Sequence, residues 1–147
     1  MKYGIYYAYW EKEWNGDYKY YIDKISKLGF DILEISCGAF SDYYTKDQEL
    51  IDIGKYAKEK GVTLTAGYGP HFNESLSSSE PNTQKQAISF WKETLRKLKL
   101  MDIHIVGGAL YGYWPVDYSK PFDKKRDLEN SIKNMKYEEL MTVNSKD

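Results

Sequence analysis

The chain has 147 residues, enough for one ordinary hydrophobic core, and its 21 basic and 22 acidic side chains leave a formal charge of −1. Such a balance supplies no long-range field for phosphate backbones or anionic lipid, which argues against nucleic-acid and membrane partners. A single cysteine, Cys37, cannot form an internal disulfide, and Met1–Trp10 has neither the basic stretch nor the apolar core of a signal peptide. No apolar run approaches the roughly 20 residues that cross a bilayer as a helix, so a soluble protein of the reducing cytoplasm is expected.

The aromatic content is high: 15 tyrosines, four tryptophans and five phenylalanines. Rings with a polar tip suit both core packing and the apolar faces of sugars, with packing the commoner use.

In chain order, Lys2–Tyr7 is short and rich in β-formers and reads as a strand. Tyr18, Tyr21, Ile22, Ile25 and Leu28 then share one face of a helix that stops at Gly29. Asp31–Ser36 is the second strand, and Thr45 with Gln48 three residues later predicts a capping box for a helix carrying Leu50, Ile53 and Ala57 and ending at Gly61. Val62–Ala66 is the third strand. A serine-rich loop leads to Pro81, suited to a first helical turn, and to a long helix with Ala87, Ile88, Trp91, Leu95 and Leu98 on its apolar face. Ile103–Gly107 is the fourth strand, and Leu128, Ile132 and Met135 mark a fourth helix.

Strands alternating with helices imply a parallel sheet of right-handed β-α-β units, an α/β class. Four units of about 30 residues amount to half of an eight-unit barrel, whose complete form needs about 250 residues. An open doubly wound sheet is the competitor, but Tyr6-Tyr-Ala-Tyr-Trp10 after the first strand would obstruct a pyrophosphate, and no glycine-rich fingerprint follows.

In either architecture a ligand lies at the carboxyl ends of the strands. The residues found there are Tyr6, Tyr9, Trp10 and Trp14, then Gly67-Tyr-Gly-Pro70, then Gly107-Gly-Ala-Leu-Tyr-Gly-Tyr-Trp-Pro115. Glycines beside aromatic walls fit a small polyhydroxylated ligand, and equally fit tight turns with plugging rings. The period of two sends Leu33 and Ile35 toward the helices and Glu34 to the barrel interior, as either a bonded structural carboxylate or an acid beside a metal or substrate. His104 poses the same choice, with Ile103 and Ile105 pointing the other way. His71 is a weaker candidate, Cys37 has no base beside it, and no metal-binding, phosphate-loop or nucleophile-elbow motif occurs.

Four blocks carry a resemblance: Gly4–Trp14, Lys27–Glu34, Leu64–Pro70 and Asp102–Asp117. In order and spacing they closely resemble the D-tagatose 3-epimerase/D-psicose (allulose) 3-epimerase family, over roughly Met1–Met135. The resemblance implies the first four β/α units of a (β/α)8 TIM barrel of the xylose-isomerase-like type. It also implies a cytoplasmic carbohydrate isomerase that interconverts free ketohexoses at C3 through an enediolate, with a divalent manganese or cobalt ion and two glutamates.

By matching motif, Tyr6 and Trp14 would line the sugar pocket, Gly67 would leave room beside it, Ala109 would sit by the terminal hydroxyl and Trp114 would form an apolar wall. The family's metal ligands come from strands five to eight, so no catalytic or metal-binding residue is expected in this chain, and Glu34 and His104 remain candidates for supporting positions. On this reading 1–135 is the N-terminal half of a barrel domain, while 136–147 is a divergent tail, a truncation or frameshift, in which Glu138 and Glu139 lack a strand context. The fragment is expected to be inactive alone and to self-associate, although the family forms homodimers or homotetramers. The alternatives are a non-catalytic sugar-binding or structural half-barrel and another xylose-isomerase-like sugar isomerase.

Overall fold

A computed structural model describes residues 1–119 and 121–136, with only the backbone described at Ser41 and Asp42. The predicted tail, Glu138 and Glu139 included, lies outside the described residues apart from Lys136. The elements run β1 (Gly4–Tyr6), a 3-10 turn (Tyr7–Tyr9), α1 (Tyr18–Leu28), β2 (Ile32–Ser36), α2 (Ala39–Asp42), α3 (Asp47–Glu59), β3 (Thr63–Tyr68), a 3-10 turn (Phe72–Glu74), α4 (Pro81–Leu100), β4 (Val106–Gly108) and α5 (Lys124–Met135). The sheet order is β1-β2-β3-β4. β1 and β3 both run parallel to β2, with Tyr6 opposite Glu34, Glu34 opposite Thr65 and Ser36 opposite Gly67.

Two compact units divide the chain: Met1–Gly67 with Lys97–Gly107, and Tyr68–Arg96 with the described residues from Gly108 onward. In the first, α1 starts where Asp17 Oδ1 accepts the Tyr20 N–H at 3.2 Å, and ends at Gly29 in the left-handed region, φ 82°. Tyr18, Tyr21, Ile22 and Ile25 form its buried face, as the spacing predicts, whereas Leu28, expected with them, lies in the last turn and is exposed. Leu33 and Ile35 of β2 are fully buried with them, and Leu98, Met101 and Ile103 complete this core. α3 approaches so closely at Gly54 that a Cβ there would lie 2.8 Å from the Met101 backbone.

The predicted capping box does not form. α3 begins one residue later than the box requires, with Lys46 as an N-cap that makes no side-chain bond, and Gln48 Nε2 donates instead to Asp52 Oδ1 at 2.8 Å. A partner one turn along the same helix is within reach of the long Gln side chain and competes with the reach back to the N-cap.

The second unit has a smaller core, with Leu76, Ala87 and Trp91 beside buried Ser75, Thr83, Thr94, Ser131 and Asn134. β4 is shifted from the predicted 103–107. Ile103 serves the first unit's core, while Ala66 N–H donates to the Ile105 carbonyl at 3.0 Å and, in the second unit, Ala109 N–H donates to the Tyr68 carbonyl at 3.1 Å. Gly108 has φ 108°, and any side chain there would overlap the Tyr68 carbonyl, so the crossing of the two backbones requires glycine. Among the described residues no helix is long and apolar enough to cross a membrane.

Candidate functional site

Registered partners in a parallel sheet share a face, and so do residues two apart on a strand. Tyr6, Glu34, Ser36 and Gly67 therefore stand on one face of the first unit's sheet, at the carboxyl ends of β1, β2 and β3. Glu34 is half-buried, whereas its neighbours Leu33 and Ile35 are fully buried on the other face, so the predicted alternation holds. Gly67 is what makes room for the carboxylate: a Cβ there would stand 2.6 Å from Glu34 Oε1.

Tyr6 is half-buried. Burial pushes its phenol up from the ordinary tyrosine value; a hydrogen bond with Ser36 opposes the rise and the charge of Glu34 adds to it. At neutral pH Tyr6 is therefore a neutral hydrogen-bonding group with an apolar ring. The Trp14 ring lies 6.4 Å from it, centroid to centroid, and is 71% exposed, so an indole face is available to a ligand.

Neighbouring tyrosines set this geometry. Buried Tyr7 donates from its hydroxyl to the Trp14 carbonyl at 2.7 Å, and its ring meets Tyr6 edge-on at 5.1 Å. Tyr18 donates to the Ser36 carbonyl at 3.2 Å and accepts the Ser36 N–H at 3.3 Å, fixing the end of β2. Burial drives both phenols strongly upward. The bland reading of the aromatics, as packing, describes Tyr7, Tyr18 and Tyr21, while Tyr6 and Trp14 keep accessible faces. Ser36 is missed by sequence reasoning, although two-residue periodicity from Glu34 puts it on the same face.

His104 is not the buried core residue that one of its two readings expects. Its side chain is 80% exposed, with Nε2 2.8 Å from Asp102 Oδ1, because the chain turns at Asp102, φ 61°, before β4 begins. Ile105 likewise is 65% exposed rather than paired with Ile103 on one face. Cys37 is buried, and burial pushes its thiol up to about 12, which keeps it a neutral, unreactive group.

In the second unit the loop after β3 is tied by Glu74, whose Oε2 accepts both the Tyr68 hydroxyl and the His71 N–H at 2.7 Å. Trp114 donates its N–H to the Pro70 carbonyl at 2.7 Å, and its Cβ would lie 3.0 Å from a Cβ added at Gly69. The Trp114 side chain is 62% exposed and Ala109 is half-buried. A separate open cleft of about 490 Å³ in the first unit is lined by Glu11, Asn15, Gly16, Asp17, Tyr43 and Tyr44 and includes none of the predicted site residues.

A divalent ion needs several oxygen or nitrogen donors converging on one point. Among the described residues no group of three His, Cys, Asp or Glu side chains does so, and these residues do not fit the metal that the resemblance implies.

Comparison with known proteins supplies what the geometry leaves open. No family model matches the chain. It is 56% identical over 136 residues to the D-psicose 3-epimerase of Enterocloster bolteae, covering 92% of this chain and 45% of that protein. It is 48% identical to the D-psicose 3-epimerase of Ruminiclostridium cellulolyticum and 44% identical to that of Agrobacterium fabrum, covering 92% of this chain and 46% of each. The crystal structure of D-psicose 3-epimerase with D-tagatose from Clostridium cellulolyticum H10 superposes with a TM-score of 0.90 at 48% identity, over 97% of this chain and 48% of that one. A D-psicose 3-epimerase structure determined in the presence of D-fructose gives 0.89 at 41% identity. A D-allulose 3-epimerase from Methylomonas, at 0.75 and 17% identity, shares the fold. The four-stranded sheet with its helices is thus half of a xylose-isomerase-like TIM barrel, and the chain is similar along nearly all of its length to D-psicose 3-epimerases, spanning about half the length of the relatives it matches.

Proposed function

We propose that this chain forms the sugar-facing first half of a ketose 3-epimerase that interconverts free ketohexoses, of the D-fructose/D-psicose or D-tagatose/D-sorbose kind, at C3. One observation carries the reading: identity of 44–56% to D-psicose 3-epimerases along 92% of the chain. The placement of Tyr6, Trp14, Glu34 and Gly67 on or beside one sheet face supports it. The Trp14 and Tyr6 rings would cover the apolar C–H face of the sugar, the Tyr6 hydroxyl would hydrogen-bond a sugar oxygen, and Gly67 would leave room beside Glu34. The roles proposed for Ala109 and Trp114, by matching motif, are contact with a terminal hydroxyl and an apolar wall.

Inversion at C3 requires a proton to leave one face and another to arrive on the opposite face, with the developing enediolate oxygen stabilised. We assign the acid–base carboxylates and the manganese or cobalt ion of the whole enzyme to the remaining half of the barrel. Residues 1–135 are then one half-domain, acting in a reducing cytoplasm within a homodimeric or homotetrameric enzyme, and the isolated half self-associates weakly through its sheet edges.

The test is a fused chain, residues 1–135 continued by the remainder of the Enterocloster bolteae relative, assayed for D-fructose conversion to D-psicose with added manganese. Turnover that falls at least tenfold in Trp14→Ala and Tyr6→Phe is the expected result. A soluble, folded fusion without turnover would reject the reading, and sugar binding without turnover would favour the non-catalytic half-barrel.

A further inference from the structure

Residues 12–16 carry Trp14 between the Tyr7–Tyr9 turn and α1, and they belong to no helix or strand. Carbonyls in such a segment have no ladder to enter, and each needs another partner wherever water is displaced. Tyrosine hydroxyls supply two of them. Tyr7 donates to the Trp14 carbonyl at 2.7 Å, and Tyr44 donates to the Gly16 carbonyl at 2.8 Å. Tyr44 also accepts the Tyr18 N–H at 3.1 Å, which ties the exit of the loop to the first residue of α1. Asn15 Nδ2 donates to the Tyr43 hydroxyl at 3.1 Å, and Tyr21 donates to Glu11 Oε1 at the loop's entry.

The rings behind these hydroxyls are fixed in turn. Tyr7 and Tyr18 are fully buried and meet edge-on at 5.3 Å, and Tyr18 stacks on Tyr44 at 4.8 Å. Gly16 lies against this base: a Cβ there would stand 3.0 Å from the Tyr7 ring and 3.2 Å from that of Tyr21. Burial holds the Tyr7 and Tyr44 phenols above the ordinary tyrosine value, so both stay protonated donors at neutral pH. Trp14 itself is 71% exposed. An indole so exposed gains little from burial, and its place is set by the backbone beneath it. We propose that Tyr7 and Tyr44 are positioning residues for Trp14, their hydroxyls holding the loop carbonyls so that the indole stands beside Tyr6 before a sugar arrives. A wall fixed in advance lowers the ordering cost of binding. The proposal rests on the ketose reading above for its ligand, while the tether itself does not depend on that reading.

The test labels the 147-residue polypeptide with fluorotryptophan and records fluorine NMR spectra, with the Trp14 line assigned by its loss in Trp14→Phe. Tyr7→Phe and Tyr44→Phe keep the ring and remove the tether, and in each the Trp14 line should move toward that of the free amino acid while the Trp91 and Trp114 lines stay. Tyr56→Phe, which removes a hydroxyl bonded to Asp23 in the same unit, should leave the Trp14 line in place. In the fused chain either tether variant should raise KM for D-fructose about fivefold, the size expected for one lost hydrogen bond, with kcat unchanged. Neither should raise KM further in a Trp14→Ala background. A Trp14 line unmoved in both variants, or a KM that rises equally without Trp14, would overturn the proposal. If Tyr7→Phe loses its helical circular dichroism, Tyr44→Phe, at a half-buried position, decides alone. A fused chain without turnover rejects the ketose reading, and the fluorine spectra still decide the tether.

Discussion

Glu34 and Gly67 are best understood as one packing unit. A methyl group at position 67 would stand 2.6 Å from Glu34 Oε1, so the carboxylate must move. Gly67→Ala should destabilise the chain by no more than about 1 kcal/mol, below the usual overpacking cost because the carboxylate end can swing aside, and Glu34→Ala in the same background should recover part of it. Urea denaturation of the four proteins of this cycle measures the coupling, and strict additivity would dismiss the contact. Gly54 gives the opposite lesson from helix propensity. Alanine is favoured over glycine by about 1 kcal/mol in a helix interior, yet here its Cβ would lie 2.8 Å from the Met101 backbone, which cannot yield as a side chain could. The steric term wins, and Gly54→Ala is expected to lower stability by about 1–2 kcal/mol in the same assay.

At the level of elements, the helix starts that the structure secures with carboxylates are α1, through Asp17, α4, through Glu80, and α5, through Asp123. The backbone N–H groups of Asn82 and Thr83 hold the Glu80 carboxyl below its ordinary value. The bonds from Lys60 and then Tyr56 do the same to Asp23, between α1 and the end of α3. A carboxyl depressed in the folded state stabilises it above the unfolded value and loses that contribution as the pH falls through the folded one. Melting temperature should therefore drop as the pH is taken below the ordinary carboxylate range, and Glu80→Ala should flatten that drop while lowering the melting temperature at neutral pH. An unchanged acid slope in the variant would remove Glu80 from the account.

These elements were legible in the sequence to different degrees. α1, α3 and α4 appear where the period predicts them, because burial of one face dominates local preference. Thr45 and Gln48 carried the right letters for a cap, but a competing partner one turn along α3 captured the glutamine. For α5 the period found the helix and misjudged its orientation, since the buried face is chosen by the Asn130 and Asn134 bonds.

For the whole molecule, Leu128, Ile132 and Met135 of α5 form an exposed apolar stripe. A polypeptide of these 147 residues should enhance the fluorescence of a hydrophobic dye such as ANS, and Leu128→Asp combined with Ile132→Asp should reduce that signal by at least half; an unchanged dye signal would place the exposed surface elsewhere. With manganese alone, the chain is expected to show no epimerisation of D-fructose above background.

The sequence by itself determined the alternation of strands and helices, the face of β2 that carries Glu34, and the likeness to D-psicose 3-epimerases, because periodicity and the order of four motif blocks are local properties of the chain. Only the tertiary structure decided that Ser36 joins Tyr6 and Glu34, that His104 turns to solvent beside Asp102, and that α5 presents its apolar side outward. The first and last of those outcomes depend on contacts between segments distant in the chain and the second on the left-handed turn at Asp102, and no hydrophobic spacing encodes which of two competing partners a side chain will meet.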